Sequence, residues 1–190
     1  MNGRLKPETK DDPMQEQWQW LIDLLVNGPK RANIFLSHHQ PVSAHDSEFR
    51  ASEGLRSDIC ELLATAGIKH DAIFAWFFGH EHRFTIYRDD ETLFNARLIG
   101  SGCIPHEIQH EVTADPGCTP FAFVSDRGED GSETAISQFA ELRFFGEQLQ
   151  VNYRDEKGIS LGWEMWDAYK SRLTPPRPFV PDGTTFLKAD

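Results

Sequence analysis

The run Ala72-Ile73-Phe74-Ala75-Trp76-Phe77-Phe78 passes without a break into Gly79-His80-Glu81-His82. An uninterrupted apolar stretch of this length reads as a buried strand. A buried strand that stops in Gly-His-x-His delivers two imidazoles to the place where a sheet opens to solvent. Open α/β sheets bind their ligands at such strand ends. Imidazole is the commonest metal-ligating side chain, because near neutral pH it offers a free nitrogen lone pair. A second apolar run, Asn33-Ile34-Phe35-Leu36-Ser37, also ends in histidines, His38 and His39. Two strands that both finish in histidine predict one shared metal site.

Length and charge narrow the classes of function. The chain has 190 residues, enough for one domain with a real core. A formal net charge of −11 and a pI near 5.1 argue against a nucleic-acid partner, which needs a basic face. They leave room for a phosphorylated substrate, because a bound cation reverses the local field. No stretch approaches the ~18 consecutive apolar residues of a membrane span. The segment from Met1 to Pro13 is polar, with no apolar core of a signal peptide. Three cysteines, Cys60, Cys103 and Cys118, form no CxxC pair. So sparse and odd a set predicts a reducing, cytoplasmic setting and no disulfide.

Periodicity sets out the elements. Residues 1–13 form a loose lead. Trp18, Leu21, Ile22, Leu25 and Val26 recur at helical spacing over Met14 to Asn27, and Asn27-Gly28-Pro29 stops the helix. Ala32 to Ser37 reads as a short buried strand. Leu55, Ile59, Leu62 and Leu63 stripe a second helix, from Glu53 to Ala66, which Gly67 ends. The strand Asp71 to Phe78 follows. Further strands are expected over Phe84–Arg88, Leu93–Ile99 and Pro120–Ser125, with loop between Gly100 and Pro120. Asp126 to Glu133 reads as a polar turn. Ala140–Phe145 and Gln148–Tyr153 flank Gly146-Glu147 as a hairpin. Trp163–Trp166 adds an edge element, and the tail from Pro175 reads as irregular. The order α-β-α-β followed by consecutive strands predicts an α/β layered sheet. Residues 14–173 form the domain and 174–190 a proline-rich tail.

Two stretches, Ile34-Phe35-Leu36-Ser37-His38-His39-Gln40-Pro41 and Phe78-Gly79-His80-Glu81-His82, resemble the calcineurin-like metallophosphoesterase family. Gln17-Trp18-Gln19-Trp20-Leu21 and Ile99-Gly100-Ser101-Gly102-Cys103-Ile104-Pro105 add to the likeness, which spans about residues 14 to 125. The resemblance implies an α/β layered sandwich. It also implies hydrolysis of a phosphomonoester or phosphodiester by two divalent ions, Mn, Fe or Zn. It gives His38 and His80 to one metal and His82 to the other, and places His39 either behind the ligands or near the phosphate, where it is the candidate catalytic residue. Between His38 and His39 the assignment stays open. The family's Asp-x-His, Gly-Asp and Gly-Asn-His-Asp/Glu motifs have no counterpart upstream: residues 1–31 contain neither histidine nor Gly-Asp. The chain therefore reads as the C-terminal half of such an enzyme. It is expected to hold one ion weakly, to hydrolyse little alone, and to associate with a missing N-terminal half or with itself through uncovered apolar surface.

Each of these features also has a blander reading. A lone histidine at a strand end is ordinarily a surface residue, and only the joint pattern points to a metal. Trp76, Phe77 and Phe78 read as core aromatics. His106-Glu107-Ile108-Gln109-His110 matches the H-E-x-x-H of zinc peptidases, which needs a helix to set both imidazoles on one face. Pro105 before it and Asp115-Pro116-Gly117 after it leave little room for that helix, so a chance match in a loop is the better reading. A non-catalytic metal-binding or scaffold relative is the main alternative. His45-Asp46 and His70-Asp71 read as solvated turns, and Asp126 to Glu133 lacks EF-hand spacing.

Overall fold

A computed structural model describes residues 7, 9, 11–12, 14–29, 31–43, 55–69, 72–87, 95–102, 120–127, 133–135, 137–168, 177–181 and 186–188. Among these residues the content is mixed α/β, with two helices and two sheets. The chain divides into two compact units. The first is Met1–His80, Tyr87–Arg97 and Gln109–Pro120; the second is Glu81–Ile86, Leu98–Ile108 and Phe121–Asp190.

In the first unit, α1 spans Met14–Asn27 and α2 spans Leu55–Ala66. The carboxylate of Asp12 accepts the Met14 N–H at 2.9 Å, covering a donor that has no partner within the first turn of α1. Gly28 N–H donates to Leu24 at 3.0 Å as the helix ends. Trp18 and Leu21 are buried, as the helical spacing predicts, but Val26 is 48% exposed. α2 buries Ile59, Leu62 and Leu63. It closes with Ile68 N–H on Leu63 O at 2.9 Å and Gly67 N–H on Ala64 O at 3.2 Å. Gly67 sits at φ +66, and this pairing with a left-handed glycine is the Schellman stop.

Strand β1, Asn33–Ser37, pairs in parallel with β2, Ile73–Phe78. All six residues of β2 are buried. β1 is not the buried strand that its apolar run predicts. It ends its sheet, is half-exposed along most of its length, and leaves Leu36 74% exposed. Apolar composition alone does not separate a central strand from an edge strand. β2 is flanked on its other side by β4, Ala96–Ile99, where Trp76 N–H donates to Asn95 O at 3.2 Å. Asn95 takes φ +44, a conformation asparagine tolerates, and its amide donates to Phe74 O at 2.8 Å.

Beyond β4, which like β3 (Phe84–Tyr87) and β5 (Pro120–Arg127) has residues in both units, the strand order continues β3, β5, β11 (Phe186–Lys188), with β6 (Glu133–Ala135) on β5. A separate sheet runs β10 (Arg177–Pro181), β9 (Ser160–Asp167), β8 (Gln148–Asp155), β7 (Gln138–Phe145). The hairpin at Gly146-Glu147 forms as its turn chemistry predicts, with Gly146 at φ +61. Three local expectations are corrected. Trp163–Trp166 belongs to an interior strand, because β9 is paired on both sides. The acidic stretch from Asp126 is not all turn, since Asp126 and Arg127 pair with Thr134 and Glu133. The proline-rich stretch contributes β10 and β11; β10 is the last strand of its sheet among the described residues, where proline is tolerated, and its register breaks between Arg177 and Val180, around Pro178. Tyr153 and Glu164 are buried together, the phenol donating to the carboxylate at 2.6 Å. No described helix is long and apolar enough to cross a membrane.

Candidate metal centre

Parallel pairing fixes where the histidines emerge. Ser37 of β1 stands opposite Phe78 of β2, and Gly79 N–H continues the ladder onto His38 O at 3.1 Å. His38 and His39 therefore leave β1 beside the point where His80 leaves β2, at the carboxyl ends of both strands. His80 Nδ1 lies 3.2 Å from His38 Nε2. The ring centroids are 5.0 Å apart for His38 and His39, 5.2 Å for His38 and His80, and 4.9 Å for His39 and His80. One nitrogen from each ring falls within 4.8 Å of the others.

Metal chemistry suits this spacing. Two nitrogens bound tetrahedrally at ~2.0–2.1 Å from one ion stand roughly 3.3 Å apart. The His38–His80 pair is already at 3.2 Å, and His39 brings a third nitrogen within 4.8 Å of both. Without an ion, the same 3.2 Å spacing serves an N–H···N bond whose direction depends on the tautomers. His38 and His80 are exposed and His39 is half-buried. A centre of three imidazoles open to solvent keeps a coordination position for water or substrate, as catalytic zinc sites do. An all-nitrogen set favours zinc, copper, nickel, cobalt or iron over magnesium and calcium, which prefer oxygen. The group suits one ion. A second ion bridged by a carboxylate needs ligands other than these three.

The backbone beneath the rings is held from both strands. The Trp76 indole N–H donates to Ser37 Oγ at 2.8 Å, and Ser37 Oγ donates to His39 O at 2.8 Å. The turn after β1 is thus tied to the middle of β2. Phe35 meets the Trp76 ring edge-on at 5.5 Å. No spacing rule in the sequence announces the Ser37–Trp76 link, because it depends on parallel register.

His80 takes φ +69, a left-handed conformation costing an L-residue about 1–2 kcal/mol. Strain of this kind collects where a side chain must be aimed. His80→Gly is therefore expected to be more stable than His80→Ala by about 1 kcal/mol, since both lose the imidazole but only glycine is at ease there. Urea unfolding of the two metal-free variants measures this, and equal midpoints would show that the site stores no strain.

His82, assigned to a metal by the resemblance, is half-buried two residues further on. It belongs to the second compact unit and is not among the three grouped histidines. His39, assigned behind the ligands or near the phosphate, is brought together with His38 and His80. His106, His110, His45 and His70 lie outside the described residues, as do Cys103 and Cys118. Neither a protein-family model nor a curated protein matches the chain.

Proposed function

We propose that His38, His39 and His80 hold one divalent transition-metal ion and that the ion serves phosphoester hydrolysis. The observation carrying this reading is the convergence of three imidazole nitrogens within 4.8 Å at the ends of two parallel strands. The hydrolase part rests on the likeness of His38-His39-Gln40-Pro41 and Gly79-His80-Glu81-His82 to the metallophosphoesterase pattern, set in an α-β-α-β order. When bound, such an ion polarises a phosphoryl oxygen and acidifies water. The chain's own contribution is positional. The exposed faces of His38 and His80 leave the approach open from solvent. The tether from Trp76 through Ser37 to the His39 carbonyl holds the β1 turn against β2.

Three imidazoles without a bridging carboxylate make a modest catalyst. The purified chain loaded with Mn²⁺ or Zn²⁺ is expected to hydrolyse an aryl phosphodiester slowly, above the rate of the free ion. Chelator and His80→Ala should each remove that rate. A chain that binds the ion yet adds nothing to the free-ion rate would withdraw the hydrolase reading. It would leave a non-catalytic metal-binding protein.

A further inference from the structure

β7 is the last strand of its sheet among the described residues. It pairs with β8 in unbroken register from Gln138 to Phe145, without bulge, proline or lysine. It also carries three exposed phenylalanines: Phe139 at 47%, Phe144 at 66% and Phe145 at 54%.

The hairpin geometry determines which backbone groups face outward. Phe145 and Gln148 flank the two-residue turn and form a hydrogen-bonded pair. The alternation then directs the N–H and C=O of the odd-numbered residues of β7 toward β8. Those of Ala140, Leu142 and Phe144 point to the open edge, while Gln138, at the start of the strand, is buried.

About Leu142, the segment Phe139-Ala140-Glu141-Leu142-Arg143-Phe144-Phe145 mirrors Phe139 in Phe145 and sets Glu141 against a residue of opposite charge, Arg143. We propose that β7 pairs with β7 of a second copy of this chain, antiparallel, on a two-fold axis through Leu142. In that register Leu142 faces the partner's Leu142, and Ala140 faces the partner's Phe144. Both use the outward-pointing backbone groups. Glu141 faces the partner's Arg143, and Phe139 faces the partner's Phe145. A register one pair away places Glu141 against the partner's Glu141, so charge selects the centre at Leu142.

Side-chain placement agrees with this pairing. Glu141 and Arg143 lie on one face, bridged at 2.8 Å within the strand, and Arg154 reaches the other Glu141 oxygen at 3.2 Å. Hydrogen bonding from Arg143, and less from Arg154, holds the Glu141 carboxyl below the usual carboxylate range, against a desolvation that raises it. It is ionised at neutral pH. In the pair, carboxylates and guanidinium groups alternate around the axis. On the opposite face, buried Leu149, Val151 and Tyr153 of β8 continue onto β7 as half-buried Leu142 and exposed Phe144. The partner's Ala140 leaves space for that ring. Such a strand pair is small, and affinity on the order of micromolar is expected.

Sedimentation of the full chain over a concentration series tests the proposal by charge exchange. Glu141→Arg alone and Arg143→Glu alone each create two like-charge contacts across the axis. Each should raise the dimer dissociation constant about tenfold or more. Mixing the two variants restores opposite charges at every position and should restore the dimer, as should the double exchange in one chain. Arg143→Glu carries the result alone if Glu141→Arg, placed beside Arg154, loses its fold. A wild-type chain that stays monomeric throughout would overturn the proposal and leave the edge to a different strand. A dimer indifferent to these substitutions would overturn it as well.

Discussion

His80→Ala is expected to weaken Zn²⁺ binding about 100-fold or more, and His38→Ala to do the same. Outer partners that only orient a ligand are worth 10–100-fold, and removing one of three direct ligands costs at least the upper end of that. The nitrogens of His38 and His80 stand 3.2 Å apart and both belong to a group of three, so neither has a substitute in it. Calorimetric titration gives the affinities. The visible spectrum of the Co²⁺ form shows whether the geometry is tetrahedral. The informative comparison lies between His39 and His82. If the grouped set is the site, His39→Ala should cost about as much as His38→Ala, while His82→Ala costs little. A large loss in His82→Ala with none in His39→Ala would return the assignment to the one the family resemblance implies. Unfolding provides a second readout. At an ion concentration 100 times the dissociation constant, binding stabilises a folded chain by about 2.7 kcal/mol. Wild type should gain that margin and the alanine variants should not.

The parts of the fold legible in the sequence were those set by local chemistry. α1 runs from Met14 to Asn27 because its apolar spacing, the Asp12 carboxylate and Gly28 all agree. Gly67 ends α2, and Gly146 turns the β7–β8 hairpin, because each supplies a left-handed backbone. Strands were harder where pairing decides. Ile34, Phe35 and Leu36 form an apolar run indistinguishable in kind from β2, yet β1 ends its sheet and exposes Leu36. Pro178 and Pro181 argued for an irregular tail, but β10 pairs with β9 at Arg177, Val180 and Pro181, with the register breaking between Arg177 and Val180, where Pro178 falls. At the candidate site, the two histidine-ended strands were legible, and so was their convergence if both lay in one sheet. The inclusion of His39 depends on how the chain turns after Ser37. That turn is set by a hydroxyl and an indole 39 residues apart in sequence.

Trp76→Ala is expected to cost about 3–5 kcal/mol, as for other large-to-small changes at buried aromatic positions. Against a total of roughly 5–15 kcal/mol, that brings the chain close to unfolding at room temperature. Trp76 is 3% exposed, sits opposite Phe35 in the β1–β2 register and meets its ring at 5.5 Å. Alanine leaves a cavity where two strands join. Trp76→Phe separates packing from positioning, because it keeps an aromatic ring but removes the N–H that Ser37 Oγ accepts at 2.8 Å. It should stay folded, lose about 1–2 kcal/mol, and bind Zn²⁺ several-fold more weakly with all three histidines present. Ser37→Ala should reproduce the loss of affinity with a smaller loss of stability, since it breaks the same tether without disturbing the ring. If both variants bind Zn²⁺ as wild type does, the tether serves only the strand junction. The imidazoles would then owe their convergence to parallel register and the left-handed His80 alone.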